Sequence, residues 1–233
     1  MAPGEVVGLA GVIGSGRTEL CEAIYGLRTI DSGEIRMRGA SVDLTEPKLA
    51  LSQGVFLLPE DRKLDGIFAD LDVRENLVFN RVNKTMTRGD SAGDRASTRG
   101  YGLRTINGSV ERDAFAQMRQ SLSIRCPSAT APITTLSGGN QQKTLFARGA
   151  LSQPSVLILA EPTRGVDVGA KEEIYAAIDG FAAQGIAIIV SSSEISELIR
   201  LCDRVLVLRD GAMVGAVAAE AATEQTILEM MAG

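Results

Sequence analysis

Gly11, Gly14, Ser15, Gly16, Arg17 and Thr18 stand in the stretch "GVIGSGRTEL" at 11–20, directly after the apolar run "EVVGLA". A strand that turns through glycines into a helix offers backbone N–H groups and the positive helix end to an anion. The spacing G-x-x-x-x-G-[K]-[ST] is one that wraps a phosphate chain in this way. Gly11, Gly16 and Thr18 keep that spacing, and Gly14 adds room for close approach. Ser15 and Glu19 complete the loop and the first helical turn. Thr18 carries the hydroxyl that the pattern gives to Mg²⁺. Arg17 stands where the pattern has lysine. It keeps the positive charge, but its longer planar fork suits bidentate contact better than a compact point charge between phosphates. The stretch therefore predicts nucleotide binding with impaired geometry for hydrolysis.

A second candidate is "SVLILAEPTRGVD" at 155–167, an apolar run that delivers polar residues at its carboxyl end, where ligands of open α/β sheets sit. In phosphoryl-transfer sites an aspartate at such a strand end holds the Mg²⁺ shell, and a following carboxylate orients water. Here the pair is Ala160 and Glu161, so the orienting carboxylate is kept and the metal carboxylate is replaced by a methyl group. A third stretch, "LSGGNQQK" at 136–143, lies about twenty residues before that run and leads into a helical pattern.

These residues need a frame. Short Val/Ile/Leu runs at 5–10, 54–58, 155–160, 186–191 and 204–208 are too continuous for half-exposed strands and read as buried parallel ones. Helical patterns at 17–25, 137–152, 169–184 and 194–202 alternate with them, as in a layered α/β domain. The segments 32–39 and 209–217 read as strand or hairpin pieces at an edge. The stretch 81–109 is polar, rich in Gly, Ser, Thr and Arg, and aperiodic, which predicts a mobile loop before a helix at about 109–122. A smaller helical lobe over 68–152 is expected to be inserted into an α/β body formed by 1–67 and 153–233.

The composition narrows the chemistry. A net charge of −5 and the lack of a basic stripe argue against nucleic acid as the partner. Three cysteines without C-x-x-C spacing suggest neither a disulfide framework nor a zinc site. No apolar run nears the about 18 residues of a membrane span, so a soluble chain linked to membranes only through partners is expected. Histidine is absent, which leaves carboxylates and bound ions to carry any reaction.

Ser137, Gly138, Gly139 and Gln141 resemble the signature motif of the ATP-binding-cassette family, lying between a phosphate loop and an E-P-T strand. More narrowly, "GSGRTEL", "LPEDRKLDGI", "LSGGNQQK" and "EPTRGVDVGAKEEIY" are similar to the second half of tandem cassette proteins that serve bacterial monosaccharide importers. The resemblance runs from residue 4 to about 215 and implies an α/β P-loop NTPase fold, mostly parallel, flanked by helices, with a helical subdomain. ATP and Mg²⁺ are the implied cofactors. The resemblance also accounts for Arg17, places Glu60 at the position usually held by a γ-phosphate-sensing glutamine, and places Ser193 at the usual switch histidine. Ala160 departs from it, because the family carries aspartate there. About twenty-five residues that open a full cassette, with an adenine-stacking aromatic, have no counterpart before "PGEVVGL", so an excised domain with weakened adenine binding and an exposed sheet edge is expected.

The implied partners are a second cassette, encoded as the first half of the same native polypeptide, the membrane permease subunits and, indirectly, a periplasmic sugar-binding protein. The implied location is the inner face of the cell membrane. In that family the signature residues close over the nucleotide held by the partner cassette. Two alternatives stay open on the residues themselves: a self-sufficient ATPase using Arg17 and Glu161, and a non-transport cassette acting on ribosomes or DNA repair machinery.

Overall fold

The computed structural model describes residues 1–81 and 108–233. Most of the expected mobile loop at 81–109 thus lies outside the described residues. In chain order the strands are β1 (Val6–Ala10), β2 (Arg36–Met37), β3 (Ala40–Ser41), β4 (Val55–Leu58), β5 (Val156–Ala160), β6 (Ala187–Ser191), β7 (Arg204–Arg209) and β8 (Ala212–Ala218). The helices are α1 (Arg17–Tyr25), α2 (Pro47–Ser52), α3 (Val73–Val78), α4 (Gly108–Ser121), α5 (Gly138–Leu151), α6 (Val168–Ala183), α7 (Ile195–Leu201) and α8 (Glu224–Ala232).

The main sheet has the order β4-β5-β6-β1-β7-β8. Its first five strands are parallel, with Val6 opposite Ile188 on one side of β1 and Val7 opposite Arg204 on the other. β8 returns antiparallel to β7 through Asp210 and Gly211, both at positive φ (51° and 77°), as a two-residue hairpin of primed type requires. β2 and β3 form a two-stranded sheet of their own, so segment 32–39 does not extend the main sheet.

Helices cover both faces of the parallel strands, which is why those strands are apolar throughout instead of alternating. On one face Phe146, Ile174, Ile178, Phe181, Leu198 and Ile227 pack on Leu157, Leu159, Ile188 and Val205. On the other, Cys21, Leu44 and Ala50 pack on Leu9, Ile158 and Ile189. A further cluster, with Val73, Leu77, Phe115, Ile133 and Ala147, gathers α3, α4 and the outer side of α5. α5 is buried nearly all round and contributes to both regions.

Three helices go beyond the sequence reading. α2 opens with Pro47 at its first position. α3 is started by an Asp72–Glu75 capping box, and α8 by Thr223 and Thr226 in the same reciprocal arrangement.

Candidate functional site

The parallel order sends the carboxyl ends of β1, β4, β5 and β6 to one edge of the sheet. The loop Gly11–Gly16 leaves β1 there, Glu60 follows β4, Glu161 follows β5 and Ser193 follows β6. Four side-chain positions far apart in sequence converge because parallel strands must each be followed by a crossover.

The phosphate loop is shaped by close backbone approach. A Cβ at Gly11 would lie 2.3 Å from Ser15 Oγ and 2.6 Å from the Leu208 carbonyl oxygen, so only glycine fits. Gly14 and Gly16 take positive φ values of 82° and 100°, and the Ser15 N–H donates to the Val12 carbonyl at 3.0 Å. Gly16 caps α1, whose first N–H groups have no partner within the helix by its geometry. Ser15 Oγ is buried without a hydrogen-bond partner. An orphaned hydroxyl beside the free first N–H groups of α1 fits an anion and is costly otherwise.

Around this loop lies a cavity of about 390 Å³ that Glu60, Glu161, Arg164 and Ser193 also line. Arg17 is only 8% exposed; its Nη1 reaches Glu161 Oε1 at 3.5 Å, and its Nε has no partner. Ser193 donates to Glu161 Oε2 at 3.0 Å. Both oxygens of that carboxylate are therefore engaged within the chain. Glu161 also adopts φ of 50°, with its N–H donating to the Ser191 carbonyl at 2.7 Å. A left-handed non-glycine residue costs roughly 1 kcal/mol or more, so the β5–β6 junction holds this carboxylate where it stands.

Glu60 is engaged twice: Thr18 Oγ1 donates to its Oε2 at 3.4 Å, and Arg164 donates to its Oε1. Ala160 closes β5 with its methyl group buried, and no carboxylate takes its place on that strand. The residues fit a nucleotide and its cation in kind. The loop amides and Ser15 would hold phosphate, while Thr18 and Glu60 present hard oxygen ligands of the sort Mg²⁺ takes. The cation would neutralise phosphate charge when bound.

The signature stretch is built differently. Ser137 caps α5, and its hydroxyl accepts from Asn140 at 2.9 Å. Gln141 is buried, donating to the carbonyls of Ile133 and Leu136 at 3.3 and 3.2 Å. A Cβ at Gly138 would sit 2.7 Å from both Arg62 Nη2 and the Gly165 carbonyl oxygen, and one at Gly139 would sit 2.6 Å from Ala170 Cβ. None of Ser137, Gly138, Gly139 and Gln141 lines the phosphate cavity of this chain. The structure thus gathers Gly14, Ser15, Gly16, Arg17, Thr18, Glu19, Glu60, Glu161 and Ser193, with Gly11 beneath them, and sets the signature residues apart.

Two arginines join the site that sequence reasoning passed over, although both sit inside segments singled out there. Arg164 lines the cavity and pairs with Glu60. Arg62 donates to the carbonyls of Arg164 and Gly165 and reaches Gln141 Oε1 at 3.5 Å, tying the segment after β4 to the turn after β5 and to α5. Burial pushes the Arg62 guanidinium below its ordinary value.

A parallel sheet with a phosphate loop after its central strand and a carboxylate after β5, two strands away across β6, defines a P-loop nucleotide-binding protein, in the cassette form of that fold. The chain belongs to the ABC transporter family, whose profile matches residues 1–164. It is 42% identical over 230 residues to a putative ribose/galactose/methyl galactoside import ATP-binding protein of Halalkalibacterium halodurans, covering 99% of this chain and 41% of that one. It is 44% identical over 208 residues to the galactofuranose transporter ATP-binding protein YtfR of Escherichia coli, covering 89% of this chain and 39% of the relative. The chain therefore spans about two fifths of the length of these relatives. Among solved structures, a nucleotide-free ATP-binding cassette from an ABC transporter matches with a TM-score of 0.77 at 18% identity, covering 99% of this chain and 89% of that one. A dimeric cassette in a post-hydrolysis state, bound to ADP and Pi, matches with a TM-score of 0.70 at 20% identity over 93% and 86% of the two chains. Among the described residues no helix is long and apolar enough to cross a membrane.

Proposed function

We propose that this chain is a nucleotide-binding cassette of a monosaccharide importer, with a degenerate site of its own and a signature segment that completes the site of a partner cassette. The observation that carries this reading is the split described above. The chain's own Arg17, Glu161 and Ser193 are tied to one another beside a strand end that lacks its metal carboxylate. Its signature residues lie outside the lining of its own phosphate cavity. The relatives named for sugar import support the transport role, and their greater length leaves room for a second cassette in the same polypeptide. In this reading residues 1–67 and 153–233 form the ATP-binding body and 68–152 the helical subdomain. Permease subunits and a periplasmic sugar-binding protein complete the assembly at the inner membrane face.

Hydrolysis by the purified chain tests it. The expected result is Mg²⁺-dependent release of phosphate at background, because Arg17 is held by Glu161 and residue 160 offers no carboxylate to the metal. Turnover within about tenfold of 1 s⁻¹, an ordinary enzymatic rate, would instead favour a self-sufficient ATPase.

A further inference from the structure

We infer that Glu197, buried beside the phosphate cavity, is the positioning residue that holds the turn after β5 to the loop after β6, and that it takes up a proton when a nucleotide polyphosphate enters. This rests on the nucleotide reading above and adds to it a group that touches no ligand. Glu197 lies on α7 and is 2% exposed. Its carboxylate accepts from Thr163 Oγ1 at 2.7 Å and from the Ser192 hydroxyl. Thr163 stands two residues after Glu161, and Ser192 directly precedes Ser193. Ser192 Oγ itself accepts from the Glu194 N–H at 3.0 Å. One carboxylate thus ties the two segments whose side chains meet in the Ser193–Glu161 hydrogen bond.

The surroundings offer this carboxylate hydroxyls but no cation. Among the described residues no Lys or Arg pairs with it, and the nearby ammonium of Lys171, on α6, pairs with Glu194. Tyr175 of α6 also faces it, β1 brings only apolar side chains, and α8 packs there with Glu224 and Glu229 exposed. Cys202, just past the end of α7, has its thiol pushed up to about 12 by burial and stays neutral. Glu194 and Glu161 add negative charge from the cavity side. Burial above all, and then these two carboxylates, push the Glu197 carboxyl above its ordinary range. The other acids differ: Glu161 has Arg17, Glu60 has Arg164, Glu194 has Lys171, and Glu19 is exposed to water. A proton on any of the first three would break an ion pair, and on Glu197 it breaks none.

The proton leaves the tie intact. A hydroxyl both donates and accepts. Once Glu197 is protonated, one Oε donates to a hydroxyl that donated to it before, and the other Oε still accepts. Thr163 and Ser192 stay held while the charge disappears. A polyphosphate brings further negative charge into a cavity already lined by Glu19, Glu60, Glu161 and Glu194. One such charge about 12 Å away, at an effective dielectric of about 20, raises the proton affinity of a carboxyl about tenfold. By linkage the same factor appears in nucleotide affinity, which is higher below the pH at which the free chain loses this proton than above the pH at which the bound chain loses it.

The test is calorimetric titration of the whole chain with a non-hydrolysable ATP analogue and Mg²⁺, in two buffers of different ionisation enthalpy, at steps between about pH 5.5 and 8. Comparing the unaltered chain with Glu197→Gln cancels the analogue's own titration. Glutamine keeps the shape, accepts through its oxygen and donates through its nitrogen, and so stands for the protonated form. The unaltered chain should take up about half a proton more than Glu197→Gln at the pH of greatest difference, and should lose about tenfold more affinity across the range. A residue that only held the two segments together would change affinity alike at every pH and leave the proton count unmoved. Thr163→Val, which removes one donor to the carboxylate, should move the uptake to higher pH, and it decides the matter if Glu197→Gln does not fold. Equal proton counts in the unaltered chain and Glu197→Gln, or an uptake that Thr163→Val does not move, would overturn this assignment alone. No binding of the analogue by the unaltered chain would overturn the nucleotide reading and this assignment with it.

Discussion

Replacing Gly139 by alanine should loosen the molecule, and replacing Ala170 by glycine in the same chain should repair it. The new methyl carbon at position 139 would lie 2.6 Å from Ala170 Cβ, on the first turn of α6. Carbon pairs prefer about 3.5–4.0 Å, so the start of α5 must back away from α6 by about 1 Å. Overpacking of this kind costs about 1–3 kcal/mol. Alanine in place of glycine returns up to about 1 kcal/mol of helix propensity, leaving a net loss of up to about 2 kcal/mol. For a chain of this size each kcal/mol lowers the melting midpoint by about 2–4 °C. Ala170→Gly alone should cost about 1 kcal/mol through propensity. In the double variant the clash vanishes and the two propensity effects offset, so it should melt close to the parent, with a favourable coupling of about 1–3 kcal/mol. Thermal and urea unfolding followed by circular dichroism give all four corners of the cycle. Stabilisation by Gly139→Ala alone, or strict additivity in the pair, would refute the packing. The repaired pair has a use beyond stability. It puts a methyl group on the signature segment without disturbing the fold, whereas a charged side chain at Gly138 would first strike Arg62 and Gly165 of its own chain.

Arg148→Met should cost at least about 2 kcal/mol, because the buried guanidinium donates to the Gly66 and Asn76 carbonyls as well as to Asn76 Oδ1, which keeps the Phe68 N–H, and each orphaned acceptor costs about 1–3 kcal/mol; chemical denaturation reads it. Burial raises the Glu197 carboxyl above its ordinary 4.5, against hydrogen bonds from Ser192 and Thr163 that lower it. The folded state therefore keeps this proton to higher pH than the unfolded chain, and stability falls as pH rises from 4.5 through the raised value. Glu197→Gln should flatten that part of the stability–pH profile while still accepting from Thr163, and an unchanged slope would count against it. Ala160→Asp in the otherwise unaltered chain should strengthen Mg²⁺-dependent binding of an ATP analogue more than it raises turnover, since Arg17 and Ser193 are unchanged; unchanged magnesium dependence would refute the role given to position 160.

The residues that announced the site were those whose chemistry is local. The glycine spacing of 11–18 and the strand that ends at Glu161 could be placed because each motif and its flanking element lie side by side in the sequence. What remained hidden was made by contacts across the sheet. Thr18, Glu60 and Arg164 meet over separations of 42 and 104 positions, which no periodicity encodes. Lys143 and Arg148 are both buried, because α5 is enclosed by the sheet on one side and by α3 and α4 on the other. Their charges are answered by Glu173 and by backbone carbonyls from distant segments. The short helices α2 and α3 span six residues each, too few to show a helical period, although their proline start and capping box were present to be read.

The register of β1 carries a consequence for how the chain comes to be folded. Its sheet partners are β6 and β7, so Val6 waits for Ile188, and the Val6 N–H for the Asp203 carboxylate 197 positions away. Such closure places the molecule among slow folders, where long-range pairing must precede its own reward. At about 5–20 residues per second on the ribosome, the interval between making β1 and making its partners is on the order of ten to forty seconds. Throughout it the strand Val-Val-Gly-Leu-Ala is unpaired and apolar, a segment for a chaperone to hold. The phosphate loop, which hangs from that strand, is correspondingly among the last parts of the molecule to take shape.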